Sequence, residues 1–249
     1  MTVLAVPYHL DDHHPDLEFP VEPERTTAAR PGRGTPWERM AELYETVARE
    51  VAAEVQQDRT PLVMSGDCTT SLGVVAGIQR AGIRPGIVWF DAHGDLQTPQ
   101  STTSGYLGGM PLRMLLGEGN PTVAKTIDLQ PVPESEVVLV DARDLDPPEV
   151  DYLAGSAIRT CGIADVAGDL LPSGALYLHL DLDVVDPTSL PGLLFPSPGG
   201  PALREVADAV RAVLSTGRVA ALGLACTWQP GRAPVESVRP MVEQFLAAL

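Results

Sequence analysis

The sequence predicts an α/β fold: a parallel sheet with helices packed on both faces. Three observations carry this expectation. Apolar runs of strand length alternate with segments of helical periodicity along the whole chain. The strand segments are continuous apolar runs rather than alternating ones, so they are buried on both faces. Polar clusters stand where the apolar runs end, which is where open parallel sheets bind ligands.

Length and composition set the outer limits. A chain of 249 residues supports one sizeable α/β domain. No repeat, linker or boundary divides it, so residues 1–249 read as a single domain. Hydrophobic residues make up 44%, enough for a real core and against wholesale disorder. The 33 acidic residues outnumber the 17 basic ones, and the net charge of -16 argues against a nucleic-acid partner. Cys68, Cys161 and Cys226 are too few, and odd in number, for a disulfide framework. No apolar run reaches the roughly 20 residues of a membrane span. The opening MTVLAVPYHLDD lacks the basic start of a signal peptide. A cytoplasmic protein with a small-molecule ligand and no membrane partner is expected.

Val3–Val6 forms a short strand ended by Pro7. The Pro-, Asp- and Arg-rich stretch that follows has no periodicity and reads as a long ordered loop, or a cover, at the mouth of the sheet. His9, His13 and His14 lie in it and read as solvated loop histidines rather than metal ligands. Thr35, Pro36 and Glu38 make a capping box, and Met40, Leu43, Val47, Val51 and Val55 recur at helical spacing, so a helix runs to about Gln57. A strand over Pro61–Ser65 leads through Gly66–Thr69 into a helix from about Thr70 to Ala81. A strand over Gly86–Phe90 leads to Asp91, and Gly109–Leu116 is helical. Val137–Val140 is a strand, a helix starts near Pro147, and Ile158–Cys161 is a short strand. Leu176–Leu180 leads to Asp181. A helix over Pro201–Leu214 is closed by Gly217. Val219–Ala225 is the last strand, and Pro240–Leu249 the last helix.

The stretch IVWFDAHGDLQTPQSTTS, Ile87–Ser104, holds the densest chemistry. Asp91, His93 and Asp95 stand at every second position and converge if the chain is extended. HLDLDVVDP repeats the logic with Asp181 and Asp183. Carboxylates gathered in one crevice repel unless a cation neutralises them, so this set reads as a divalent-metal site. Asp67, Asp144 and Asp146 suit helix caps better.

These residues carry a family resemblance. DAHGDLQTPQSTTSGYLGGMP resembles the second signature of the arginase/agmatinase (ureohydrolase) family, HLDLDVVDPTSLPG the third, and SGDCTTSLG the first. The motifs follow the family order from about Leu62 to Pro230. The resemblance implies a three-layer α-β-α sandwich with a parallel sheet of about eight strands. It implies a paired manganese site, one or two ions, that activates hydroxide against a guanidinium carbon. Asp91 and Asp183 match positions that bridge or hold the second metal, and His93 and Asp181 match further ligands. Asp95 matches a ligand that also shuttles a proton. Gln97, Thr102 and Ser104 match positions that grip the substrate in arginases; loop-stabilising hydrogen bonds are the other reading of these three. A homo-oligomer is implied by the family alone.

Three positions depart from the family pattern. Cys68 stands where a histidine ligand is usual. It is either a soft ligand, its thiol pKa lowered by a helix N-terminus and a nearby cation, or a small buried cysteine with no ligand role. Gly108 stands where arginases carry an acid/base histidine, with Tyr106 replacing a nearby Asn. Thr227 aligns with the Glu that pairs with a guanidinium. The first two departures resemble the hydroxyarginine amidinohydrolase branch, which acts on N-hydroxy-arginine. The expected function is hydrolysis of a linear C–N bond in a guanidino or N-hydroxyguanidino compound. An amide or formimino substrate and a non-catalytic metal-binding relative are the alternatives.

Overall fold

The computed structural model describes residues 1–29, 32–166 and 168–249. Strand β1 is Thr2–Val6. The two-residue strands β2 (Tyr8–His9), β3 (Asp12–His13) and β4 (Arg25–Thr26) follow before helix α1, Pro36–Val55. Then come β5 (Pro61–Ser65), α2 (Ser71–Arg80), β6 (Gly86–Asp91), α3 (Pro111–Leu115) and α4 (Pro121–Thr126). The chain continues through β7 (Val137–Asp141), α5 (Pro147–Gly155), β8 (Arg159–Cys161) and β9 (Leu176–Asp181). It closes with α6 (Leu203–Leu214), β10 (Val219–Ala225) and α7 (Val235–Ala248).

Eight strands form one sheet in the order β4-β1-β5-β10-β9-β6-β7-β8. Every neighbouring pair is parallel. The expected three-layer α/β architecture is therefore present. Consecutive strand residues feed opposite layers. Leu4, Val63, Trp89 and Leu139 pack with α1 and α2 on one face. Val3, Leu62, Phe90 and Val138 pack with α6 and α7 on the other. This double-sided burial is why the strands read as unbroken apolar runs. Each fully buried large side chain contributes about 1.5–3 kcal/mol.

Helix α1 begins as its sequence dictates: Thr35 and Glu38 form the capping box, with Pro36 in the first turn. It lies unusually close to α2. A Cβ on Gly73 would sit 2.9 Å from the Tyr44 carbonyl oxygen, and one on Gly77 2.7 Å from that of Ala48. Alanine at either position would force the helices apart. This packing fixes the N-terminal end of α2, and the Tyr44 hydroxyl bonds Thr69 in the turn that carries Cys68.

Two expectations need correcting. Helix α7 starts at Val235, five residues before Pro240, which lies inside it. The buried face Val238, Met241, Val242 and Phe245 extends across the proline, and its packing outweighs the lost hydrogen bond. The stretch after Pro7 holds the β2–β3 hairpin and strand β4. Arg30 and Pro31 of that stretch lie outside the described residues. No helix is long and apolar enough to cross a membrane among the described residues.

Candidate metal centre

The carboxyl ends of four adjacent strands, β5, β10, β9 and β6, converge on one cleft. The register sets these ends level: Ala225 pairs with Ser65 on one side and Asp181 on the other. Cys68 follows β5, Thr227 follows β10, Asp181 and Asp183 end and follow β9, and Asp91, His93 and Asp95 end and follow β6.

His93 is the hub at one side. Its Nδ1 lies 3.0 Å from Asp183 Oδ2 and 3.3 Å from Asp91 Oδ1. Backbone amides fix both carboxylates: His93 N donates to Asp91 Oδ1 at 2.7 Å, and Ala92 N to Asp183 Oδ1 at 3.2 Å. Asp91 Oδ2 accepts from Trp89 Nε1 at 3.1 Å. At the other side, the Cys68 thiol donates to Asp181 Oδ2 at 2.8 Å, which also accepts from the Thr227 hydroxyl at 3.1 Å. Asp95, at φ 52, is buried, and its Oδ2 has no hydrogen-bond partner.

The electrostatics call for a cation. Burial, then the charge of Asp91, pushes Asp95 well up, and burial followed by Asp181 does the same to Asp183. Burial lifts Asp181 from 3.8 to about 7. Burial disfavours charge on His93, yet its bonds to Asp183 and Asp91 prevail and push the imidazolium up to about 12. Protons thus do the neutralising that a metal would do. With no cation beside it, burial first and then four aspartates, Asp181 foremost, push the Cys68 thiol well up.

The donor set fits a divalent metal. Asp91, His93 and Asp183 each bring one donor atom within 4.8 Å of the others, and so do Cys68, Asp91 and His179. The unpartnered Asp95 oxygen points to the same need. Carboxylate and imidazole suit manganese or zinc, and the sulfur favours zinc.

The cleft offers about 190 Å³, room for a small ligand. Seven aspartates and Glu149 line it, with no lysine or arginine among the described lining residues. Gln97, Thr102 and Ser104 all line it. Each already makes a hydrogen bond. Gln97 donates to Asp146 Oδ2 at 2.9 Å and accepts from Ser101 at 2.7 Å. Thr102 and Ser104 accept from Gly105 N and Tyr106 N.

Asp67 and Asp146 cap helical turns, as expected. Asp144 caps none; its carboxylate is exposed, 4.0 Å from His93 Nε2. His13 and His14 are exposed, but His9 is not a solvated loop histidine. Its ring bonds the Gly66 carbonyl oxygen and Tyr106. The three cysteines are free.

Sequence reasoning missed the supports of the site. Buried Glu149 accepts from Leu96 N at 2.9 Å and Asp146 N at 3.0 Å, holding the turn that carries Asp95. A Cβ on Gly94 would sit 2.7 Å from Glu149 Oε1, so that turn needs glycine. Arg143 pairs with Asp141 and donates to the Val184 and Ser197 carbonyl oxygens, clamping the segment after Asp183. Only the capping spacing of Glu149 behind Asp146 offered a signal.

The model of the Arginase family matches residues 14–227. The chain belongs to the arginase family. The arginase of Bacillus caldovelox is 33% identical over 180 residues, 67% of this chain and 60% of that protein. The arginase of Staphylococcus aureus (strain COL) is 31% identical over 183 residues, 68% of this chain and 60% of that protein. The match thus spans less than two thirds of these relatives' length. Family members also share the whole fold. The Bacillus subtilis arginase structure superposes with a TM-score of 0.83 at 23% identity, covering 100% of this chain and 98% of that one. The formimidoylglutamase of Bacillus subtilis subsp. subtilis str. 168 gives 0.75 at 15% identity, covering 99% and 86%.

Proposed function

We propose that this protein is a metal-dependent hydrolase of a linear C–N bond in a guanidino or N-hydroxyguanidino compound. The observation that carries the reading is the pairing of a metal-competent cluster with a free base. His93 Nδ1 stands 3.0 Å from Asp183, and the unpartnered Asp95 oxygen faces the same cleft. Family membership supports the same reaction class.

Asp91, His93 and Asp183 would hold one divalent ion, and Cys68, Asp95 and Asp181 would take part in a second position. Manganese or another divalent metal bound there supplies Lewis acidity and acidifies water. The protein's own groups do the rest. Asp95 takes a proton from the attacking water through its free oxygen and returns it to the leaving amine. The Thr227 hydroxyl holds Asp181 in place. The predominantly acidic lining draws in a cationic substrate. Gln97, Thr102 and Ser104 line the wall, and the hydroxyls of Thr102 and Ser104, which accept from backbone amides, keep protons to donate to a substrate.

The neutral Thr227 supports a less basic N-hydroxyguanidine over a plain guanidine. It also keeps a second reading open: an arginase-fold protein that binds metal without turnover. A screen for urea and hydroxyurea release with manganese supplied separates the two. Release from N-hydroxy-arginine above release from arginine is expected. Retained metal with no release from any guanidino compound would establish the second reading.

A further inference from the structure

His179 is the buried polar group that the reaction leaves unexplained. It is 2% exposed and stacks on Trp89 with ring centroids 3.7 Å apart. Its Nδ1 meets the Tyr177 hydroxyl at 3.1 Å, while Nε2 has no partner. An unsatisfied buried nitrogen is costly. The same ring brings a nitrogen within 4.8 Å of Cys68 Sγ and of an Asp91 oxygen. Nδ1 is engaged by Tyr177, so the nitrogen free to ligate is Nε2. Strand β10 is kept bare to seat this pair: a Cβ on Gly223 would overlap the Tyr177 hydroxyl and lie 3.3 Å from His179 Nδ1.

We propose that His179 Nε2, Cys68 Sγ and an Asp91 oxygen form a mixed nitrogen, sulfur and oxygen position at the cleft floor that selects zinc or cobalt over manganese. The proposal deepens the metal-site reading given above and rests on it. Asp181 Oδ2, 2.8 Å from Sγ, stands beside this trio and accepts from the thiol. A thiolate, an imidazole and a carboxylate suit zinc with a further position left open. Tyr177 would play the supporting part common around metal-bound histidines: with its oxygen accepting from Nδ1–H, the Nε2 lone pair would be free for a metal. On binding, Cys68 would give its thiol proton to solvent and bond as thiolate. Asp91 is shared with the His93 position, so the two positions differ in softness. One is sulfur-containing; the other is carboxylate and imidazole only.

The test uses chelator-treated full-length protein titrated with cobalt. Wild type should show a sulfur-to-cobalt charge-transfer band in the near ultraviolet, absent from Cys68→Ser. His179→Asn should keep that band while losing about tenfold or more in zinc and cobalt affinity. Zinc-loaded crystals of the unmodified protein give a readout independent of any variant. An anomalous peak is expected about 2.0–2.1 Å from His179 Nε2 and about 2.3 Å from Cys68 Sγ. A peak bonded to Cys68 with Nε2 out of reach, or unchanged affinity in His179→Asn, overturns the proposal. Zinc held only at the His93 end overturns it while leaving the proposed function standing. Failure to retain any metal removes both.

Discussion

The Tyr106 hydroxyl lies 3.0 Å from His9 Nε2, tying the loop after β6 to the hairpin at the chain's start. His9 Nδ1 meets the Gly66 carbonyl oxygen at 3.1 Å. A carbonyl only accepts, so Nδ1 carries the proton and Tyr106 donates to Nε2. The Tyr106 ring sits where a side chain at position 108 would go, because a Cβ on Gly108 would overlap it. The tyrosine therefore fills the space over Gly108 and presents its oxygen lone pair to the cleft.

Removing that link should loosen substrate binding. Tyr106→Phe deletes a part-buried hydrogen bond of about 1 kcal/mol, so KM should rise about fivefold with metal content unchanged. Gly108→Ala overpacks the same space and should lower Tm by the equivalent of about 1–3 kcal/mol. Steady-state kinetics and thermal melts check both. An unaltered KM in Tyr106→Phe would show that the ring only fills space.

Glu149 should matter for stability and for Asp95 together. Glu149→Ala removes two amide bonds to a buried carboxylate, each worth about 1.5–3 kcal/mol. Glu149→Gln retains one acceptor and should recover part of the loss. Chemical denaturation should rank wild type above Gln and Gln above Ala, with turnover following the same order.

Thr227→Glu should change substrate preference. A carboxylate there restores a counter-charge for a fully cationic guanidine. The ratio of kcat/KM for arginine over N-hydroxy-arginine should rise about tenfold, in line with about 1.5 kcal/mol for a hydrogen bond to a charged group. A ratio that does not move would mean that position 227 does not face the reacting group.

Metal and pH should act in opposition. Burial first, then Asp91, raises Asp181 from 3.8 in the unfolded chain to about 7. The folded metal-free protein therefore keeps a proton that the unfolded chain releases. That contribution is complete below 3.8 and is lost as pH rises through about 7. His93, raised from 6.5 to about 12, continues the decline at higher pH. Metal requires the deprotonated ligands, so its stabilising effect grows over the same range. Scanning calorimetry of chelated protein should show Tm falling from pH 4 to 7, with the manganese-induced gain increasing. A gain independent of pH would place the metal away from these carboxylates.

The sheet and the carboxylates were legible because both are local signals. Unbroken apolar runs report double-sided burial, and Asp91, His93 and Asp95 announce themselves by spacing. His179 and Glu149 were not legible. His179 sits inside the apolar run of β9 and meets Cys68 only through folding, over a separation no pattern spans. Glu149 takes part in a local helix cap, but its second oxygen is aimed at Leu96 by tertiary packing alone. His9 reads as a loop residue because a two-residue hairpin carries no periodicity. Helix α4, Pro121–Thr126, is too short to show a face. Pro240 misled because buried side chains on both sides outweighed a local breaker.

Strand β10 comes last in sequence among the described strands, yet it lies between β5 and β9 at the middle of the sheet. Without it, β4, β1 and β5 form one ribbon, and β9, β6, β7 and β8 another. Cys68 follows a strand of one ribbon and the Asp91 and Asp181 carboxylates end strands of the other, so Val219–Ala225 is what joins them. The sulfur-containing position is thus assembled by the same long-range pairing that closes the sheet.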